Sequence, residues 1–503
     1  MLVKTILNGK NYKMVLPNAL YISKIDEVYI KIDCEMGIAQ ELCDFFTFYV
    51  PGYTFVPSYR AKLWDGKIRL YSIATRKLYG GLLPYVLQFA DKRKYKYEYP
   101  KEMKIERTQI SNEFVDSLKL QSNGKGIDVR DYQKDAINHA LTSRKALLIS
   151  PTASGKSLII YALLRYLKKQ SLIIVPTTSL VEQMYNDFMD YSTNDKWYVD
   201  LNCHRIYSGQ SRKTDLPIVI STWQSLVNEK KDFFKRFEVV IGDEAHGFKA
   251  KSLTSIMTKL VNAEYRIGTT GTLDGTKTHQ LVLEGLFGVV KQVTTTKKLM
   301  TENYLANLDI HCIVLKYAKE VCQQTREYDY QQEIDFLVTN ELRNNFLVEM
   351  VSKLTGNTLI LYQLVEKHGT ILYDLITEKM PDRNVSFIHG GVKTLERERI
   401  RNETEVGDSN IIVASYGTYS TGVNIRNLHN IIFASPTKSR IRNLQSIGRV
   451  LRKSESKIKA NLFDVSDNLT YLSHQNYTWK HLLERIKIYR DEKFDFHVKE
   501  FSL

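Results

Sequence analysis

The 503-residue chain carries 71 Lys and Arg against 56 Asp and Glu, a formal charge of +15, with 43% hydrophobic and 25% charged residues. This mixture is too apolar for a disordered chain and too charged for a membrane bundle, and the length predicts roughly three domains of about 150 residues. No apolar run approaches the roughly 18 residues needed to span a bilayer. The opening, broken by Lys4, Lys10 and Lys13, holds no secretory core. Five dispersed cysteines (Cys34, Cys43, Cys203, Cys312, Cys322) with no C-x-x-C pair argue against a disulfide framework or a zinc site, and a cytoplasmic protein with no membrane partner is expected.

The first stretch, residues 1–126, ends in Gln121-Ser-Asn-Gly-Lys-Gly126, which reads as a linker. Between Arg60 and Arg107 stand 13 basic residues and five acidic ones, about half of the chain's excess charge. Ala61 to Tyr71 predicts a hairpin turning at Asp65 and Gly66, a pair that tolerates the positive φ of a tight turn. Beyond it Lys67, Arg69 and Tyr71 alternate with Ile68 and Leu70, so one strand face is basic and aromatic and the other apolar. Basic residues on such a face neutralise phosphates, and aromatic ones stack on bases. The alternative is a small core of Trp64 and tyrosines beneath solvated lysines. Core is the better reading for Trp64, and nucleic-acid contact for the basic face.

Over residues 127–300 short apolar runs alternate with helical patterns, which predicts parallel strands joined by crossover helices. The runs are Ala146–Ile149, Leu172–Val175, Ile218–Ser221, Phe237–Ile241 and Tyr265–Thr269, apolar because parallel strands are covered on both faces. After a polar stretch, Lys291–Asn303, residues 301–503 hold a second series: Ile310–Leu315, Thr358–Leu361, Val385–Ile388, Ile411–Ala414, Ile431–Ala434 and Asn461–Val465. Trp479, Leu482, Leu483, Ile486 and Tyr489 then mark an amphipathic C-terminal helix packed back on this lobe. The expected class is α/β: two lobes with parallel sheets in tandem, a small α+β N-terminal domain and a C-terminal helix.

Chemistry enters at Ser150-Pro-Thr-Ala-Ser-Gly-Lys-Ser157, a turn of small residues between a strand and a helix. In a loop of this kind the backbone of Pro151, Thr152, Ala153, Ser154 and Gly155 surrounds the phosphates, Lys156 reaches the β and γ oxygens, and the Ser157 hydroxyl binds Mg²⁺. Against G-x-x-x-x-G-K-[ST], Ser150 replaces the first glycine. Further on, Val239-Val-Ile241 runs into Gly242-Asp-Glu-Ala-His246, setting two carboxylates at the C-terminal edge of a strand, where α/β ligands bind. Asp243 is assigned to Mg²⁺ and Glu244 to the attacking water. His246 has no metal-ligand spacing around it and reads as a structural imidazole.

From Val129 to Arg452 the chain resembles the superfamily 2 helicases, which implies two RecA-like lobes and ATP with Mg²⁺ as cofactors. By that resemblance Gln133, with Arg130, reads the adenine; Pro176 and Thr177, Thr222, Gly390 and Thr421 lie in elements that contact nucleic acid; and Thr270, Thr272, Gly422 and Asn424 couple hydrolysis to motion. Gly271 and Asn424 depart from the usual Ala and Asp. Gln445-Ser-Ile-Gly-Arg-Val-Leu-Arg452 matches the sixth motif, Q-x-x-G-R-x-x-R. Arg449 and Arg452, three apart, are expected to share a helix face, so that both reach a γ-phosphate held by the other lobe, with Gln445 beside them.

Phe55 to Gly66, Tyr71 and Gly80-Gly-Leu-Leu83 resemble the N-terminal module of phage recombination and repair helicases of the UvsW type. The resemblance implies an ATP-driven DNA helicase acting on branched or partly single-stranded DNA and on RNA–DNA hybrids, by junction migration, fork regression and R-loop removal, in a bacterial host. The residues themselves support an ATP-driven nucleic-acid motor. An RNA-remodelling ATPase, and a strand-annealing protein in which ATP only sets conformation, are the competing readings.

Overall fold

The computed structural model describes all residues except 1–2, 8–9, 15–16, 104–111, 123, 421–424, 436, 454–456 and 458. Two compact units emerge: residues 1–150 with 155–293, and residues 151–154 with 294–503.

In the first unit a seven-stranded sheet runs in the order Cys203–Ile206, Ile218–Thr222, Ser171–Val175, Val239–Asp243, Tyr265–Thr270, Lys145–Ile149, Val290–Gln292, every pairing parallel. Alternation along each strand feeds two cores. Ala146, Leu148, Ile173, Val175, Ile220 and Ile241 pack with Ile159, Leu163, Val181 and Phe188. Leu147, Leu172, Ile174, Val219 and Val240 face the other way, toward Ile256, Leu281 and Phe287. Both faces are covered, so the strands are apolar throughout.

That second core continues without a break into the N-terminal module through Leu20, Ile32, Leu42, Leu82 and Phe89. There a four-stranded sheet runs Lys77–Tyr79, Tyr29–Asp33, Ala19–Lys24, Lys96–Glu98, with the last pairing parallel. Helices Met36–Phe45 and Leu83–Arg93 complete it. Polar contacts reinforce the join: Lys145 Nζ donates to the Glu27 carbonyl at 2.8 Å, and the Tyr85 hydroxyl to the buried Glu284 carboxylate at 2.7 Å.

The expected hairpin at Asp65 and Gly66 is not the pairing that forms. Gly66 does adopt positive φ (76°), but Ala61–Trp64 is irregular, and Lys67–Arg69 pairs antiparallel with Thr47–Tyr49. The intervening residues include helix Pro57–Arg60, which begins on its proline.

The second unit repeats the parallel plan: Val385–Ile388, Ile411–Ser415, Thr358–Tyr362, Asn430–Phe433, Lys459–Asn468, Asn307–Lys316, Phe496–Ser502. The C-terminal helix is Tyr477–Asp491, but its buried residues are Thr478, His481, Leu482, Arg485, Ile488 and Tyr489, a face turned from the expected one; Leu483 is 37% exposed. The turn is set by a buried ion pair. The Arg485 guanidinium donates to both carboxylate oxygens of Asp464 (2.8 and 2.9 Å), the Tyr489 hydroxyl donates to the same carboxylate, and both ionic side chains are 0% exposed. No described helix is long and apolar enough to cross a membrane.

Candidate active site and nucleic-acid contacts

The expected phosphate loop starts where strand Lys145–Ile149 ends. Ser150 N–H donates to the Thr270 carbonyl at 2.8 Å, fixing the loop's entry to the neighbouring strand. Ala153 (φ 64°) and Gly155 (φ 85°) turn the backbone through the left-handed region, and the Ser154 hydroxyl closes the turn on the Pro151 carbonyl at 2.6 Å. Gly155 caps helix Lys156–Leu167, whose free N–H groups and dipole favour an anion there. It also has no room for a side chain: a Cβ would lie 2.2 Å from Gln133 Nε2. Gln133 is 3% exposed, and its Oε1 accepts the Arg130 N–H at 2.9 Å while the Arg130 guanidinium donates to the Tyr132 hydroxyl. The expected adenine reader therefore stands against the loop expected to hold the phosphates.

Lys156 Nζ donates to the Ser150 carbonyl at 3.3 Å, and the Ser157 hydroxyl lies 2.8 Å from the Tyr191 hydroxyl. Asp243 closes a fully buried strand and accepts a hydrogen bond from the Thr269 hydroxyl at 2.7 Å. Burial, and then the charge of Glu244, push its carboxyl upward; Lys156 opposes them. Glu244 holds a left-handed backbone (φ 49°), uncommon for a residue with a side chain and found where a site over-determines its geometry. These donors fit a hard cation. A serine hydroxyl at a helix start and a buried carboxylate strained by a second carboxylate are oxygen ligands whose repulsion Mg²⁺ would relieve. His246 Nδ1 lies 3.1 Å from the Thr270 hydroxyl, which donates to the Thr272 carbonyl at 3.1 Å, so the carboxylate turn and the threonine segment form one hydrogen-bonded unit.

In the second unit Gln445 and Arg449 lie half-buried on helix Arg440–Val450. The expectation that Arg452 shares the helix is corrected: the helix ends at Val450, and Arg452 follows in irregular backbone. That helix is pinned at both ends. Arg440 pairs with Asp491 (2.8 Å) and Glu492 (2.7 Å), and Lys457 donates to the carbonyls of Arg426, Leu428 and Val450 at 2.5, 2.9 and 2.8 Å. Sequence reasoning missed Lys457, because one lysine in a basic stretch carries no signal of burial. Gly390 is exposed, and its carbonyl accepts from Arg397 at 3.1 Å. Thr421, Gly422 and Asn424 lie outside the described residues.

Among the nucleic-acid candidates, Thr177 caps helix Thr178–Tyr191, its hydroxyl accepting from Leu180 N–H, and Pro176 precedes it half-buried. Thr222 is 5% exposed and its hydroxyl pairs with Ser225 at 3.0 Å. Lys67 and Arg69 lie on the surface ribbon, Lys67 over the Tyr49 ring at 4.9 Å and Arg69 paired with Asp65. Tyr71 is corrected: it is 1% exposed in the module's core, its hydroxyl donating to the Ile32 carbonyl, because the strand stops at Arg69 and the alternation stops with it. Trp64 is half-buried, with Nε1 donating to the Lys67 carbonyl. The aromatics left on the surface here were not singled out as contacts: Tyr49 (52% exposed), Phe55 (74%) and, beside them, Leu63 (83%). Leu63 also lines an open groove of about 530 Å³ together with Tyr59, Arg60, Lys62, Trp64 and Asp65.

Three family models match in chain order: DNA helicase UvsW, N-terminal, over residues 21–99; type III restriction enzyme, res subunit, over 126–275; and the helicase conserved C-terminal domain over 342–454. The ATP-dependent DNA helicase uvsW of Enterobacteria phage T4 is 35% identical over 504 residues, covering 95% of this chain and 98% of the relative. This chain belongs to the UvsW family of superfamily 2 helicases. The crystal structure of T4 UvsW matches with a TM-score of 0.51 at 33% identity, covering 96% of this chain and 99% of that one. The DNA 3'-5' translocase XPB2 of Sulfurisphaera tokodaii is 23% identical, covering 78% of this chain and 90% of its own. As a UvsW-family protein the chain is an ATP-dependent DNA helicase.

Proposed function

We propose that this helicase drives branch migration, fork regression and R-loop unwinding on branched or partly single-stranded DNA, in recombination, repair and replication inside a bacterial cell. The observation that carries the reading is the likeness to a phage DNA helicase along nearly the whole chain, including the N-terminal module, which shares one core with the first lobe. Residues 1–126 serve as the recognition module, 127–300 as the first motor lobe and 301–503 as the second.

In this reading Gln133 and Arg130 receive the adenine, residues 151–155 and Lys156 the phosphates. Ser157 and Asp243 hold Mg²⁺, which when bound neutralises the phosphate oxygens. Glu244 orients the attacking water. Arg449 and Arg452, with Gln445 beside them, supply positive charge to the γ-phosphate from the second lobe, so that ATP favours closure and hydrolysis releases it. Thr270, Thr272, Gly422 and Asn424 pass that change on. Pro176, Thr177, the Thr222 segment, Gly390 and Thr421 hold strand phosphates, which positions the strand without reading its bases. Lys67 and Arg69 engage a duplex arm at the junction.

The test is ATP hydrolysis and strand separation measured together on single strands, forks, four-way junctions and RNA–DNA hybrids. Forks and junctions should stimulate most, and Lys156→Ala should abolish both activities. Stimulation by RNA alone would favour RNA remodelling. Strand pairing that persists without ATP and in Lys156→Ala, with no unwinding, would favour the annealing protein.

A further inference from the structure

The Ser157 hydroxyl has an unexpected neighbour. In a phosphate loop this oxygen gives a lone pair to Mg²⁺, and its remaining O–H then needs an acceptor. Here the oxygen 2.8 Å away belongs to Tyr191, the last residue of helix Thr178–Tyr191. The ring is held by packing: Tyr191 meets Tyr161 of the loop's own helix edge to face at 5.6 Å, and Tyr161 in turn packs on Phe188 (5.5 Å) and Trp197 (5.4 Å).

The other end of the same helix is the Thr177 cap. Just before it, the Pro176 carbonyl accepts Gln224 Nε2 at 3.3 Å, from the segment that begins at Thr222. The two first-lobe elements expected to meet DNA phosphates are therefore joined at the head of a 14-residue helix, about 21 Å long at 1.5 Å per residue. Its tail touches the metal-binding hydroxyl. Val181, Met184, Tyr185 and Phe188 bury one face along its length, so head and tail belong to one packed element.

We propose that Tyr191 is a positioning residue for Mg²⁺ ligation and that helix Thr178–Tyr191 is a strut coupling DNA at Pro176 and Thr177 to the metal at Ser157. By accepting the Ser157 proton, Tyr191 turns the serine lone pairs toward the cation. Displacement of the helix head by DNA shifts the tail and with it the readiness of the hydroxyl. Coupling of this kind is reciprocal: the factor by which DNA tightens metal-nucleotide binding is the factor by which metal-nucleotide tightens DNA. The strut rests on the reading that Pro176 and Thr177 contact DNA. The Ser157 bond does not.

The experiment uses the full chain and Tyr191→Phe, which keeps the ring and removes only the hydroxyl. Fluorescent ADP binding is titrated with Mg²⁺, with and without single-stranded DNA, alongside metal-free ADP binding and DNA binding. In the parent protein, DNA should lower the Mg²⁺ concentration at half-saturation. In Tyr191→Phe that concentration should rise about tenfold, the usual cost of losing a partner of a metal ligand, and DNA should no longer change it. Metal-free ADP and DNA affinities should hold, as a general loss of structure would not allow. An unchanged Mg²⁺ requirement in Tyr191→Phe overturns the role of Tyr191. A DNA effect that survives in Tyr191→Phe overturns the strut. Thr177→Ala separates the premises: undiminished DNA affinity there refutes the DNA contact and the strut together, and leaves the Tyr191 metal result to stand or fall separately.

Discussion

Lys457 shows what a single buried charge does in this fold. Its ammonium is 2% exposed and gives its three protons to three carbonyls, clasping the end of the arginine-bearing helix to the Arg426–Leu428 segment. Burial, then the charge of Arg452, lowers its pKa from the ordinary 10.5 to about 7, with Glu405 opposing. The sign follows from proton counting. Between about 7 and 10.5 the unfolded chain holds a proton that the folded chain has lost, so stability rises with pH across that window and falls again as pH drops through 7. Urea unfolding of the parent protein and of Lys457→Met, from pH 6 to 10, should show this rise in the parent only. Parallel curves would mean that Lys457 stays protonated. Neither Lys457 nor Tyr191 was legible in the sequence, since each acquires its role from partners up to 31 and 34 residues away that only the fold brings together. The loop at residues 150–157 and the Asp243–Glu244 pair were legible as candidates because the chemistry proposed for them requires a fixed local string.

At the scale of elements, the central parallel strands stood out as apolar runs because the sheet buries both their faces. The edge strands Cys203–Ile206, Val290–Gln292 and Phe496–Ser502 did not, because an edge position leaves polar side chains in water. The C-terminal helix was found but its face misjudged, since Arg485 reads as a surface residue until Asp464 is placed opposite it. Removing one member of such a pair leaves a buried charge alone, at a cost of about 3–5 kcal/mol. Arg485→Met should therefore lower stability by that order in urea unfolding, and Arg485→Met with Asp464→Leu should recover much of it. On the surface ribbon Thr47–Tyr49 with Lys67–Arg69, the proposed role of charge is in binding instead. Lys67→Ala and Arg69→Ala should each weaken binding to forked DNA and reduce the slope of log affinity against log salt by about one. Unchanged slopes would remove the ribbon from the DNA interface.

For the whole molecule, the proposed mechanism divides one chemistry between two sheets of the same parallel plan. Lys156, Asp243 and Glu244 belong to the first lobe, and Gln445, Arg449 and Arg452 to the second. In the proposed mechanism each half supplies what the other lacks, and ATP acts as a clasp between them. The distance between the lobes tests this most directly. The five native cysteines are all buried, so Leu201→Cys and Leu395→Cys, at positions 68% and 86% exposed, take a donor and an acceptor dye selectively. With DNA present, a non-hydrolysable ATP analogue should shift energy transfer to a new value and ADP should restore the old one, while Arg449→Ala should bind the analogue without the shift. Energy transfer in the parent protein that is identical with the analogue, with ADP and with no nucleotide would contradict the clasp.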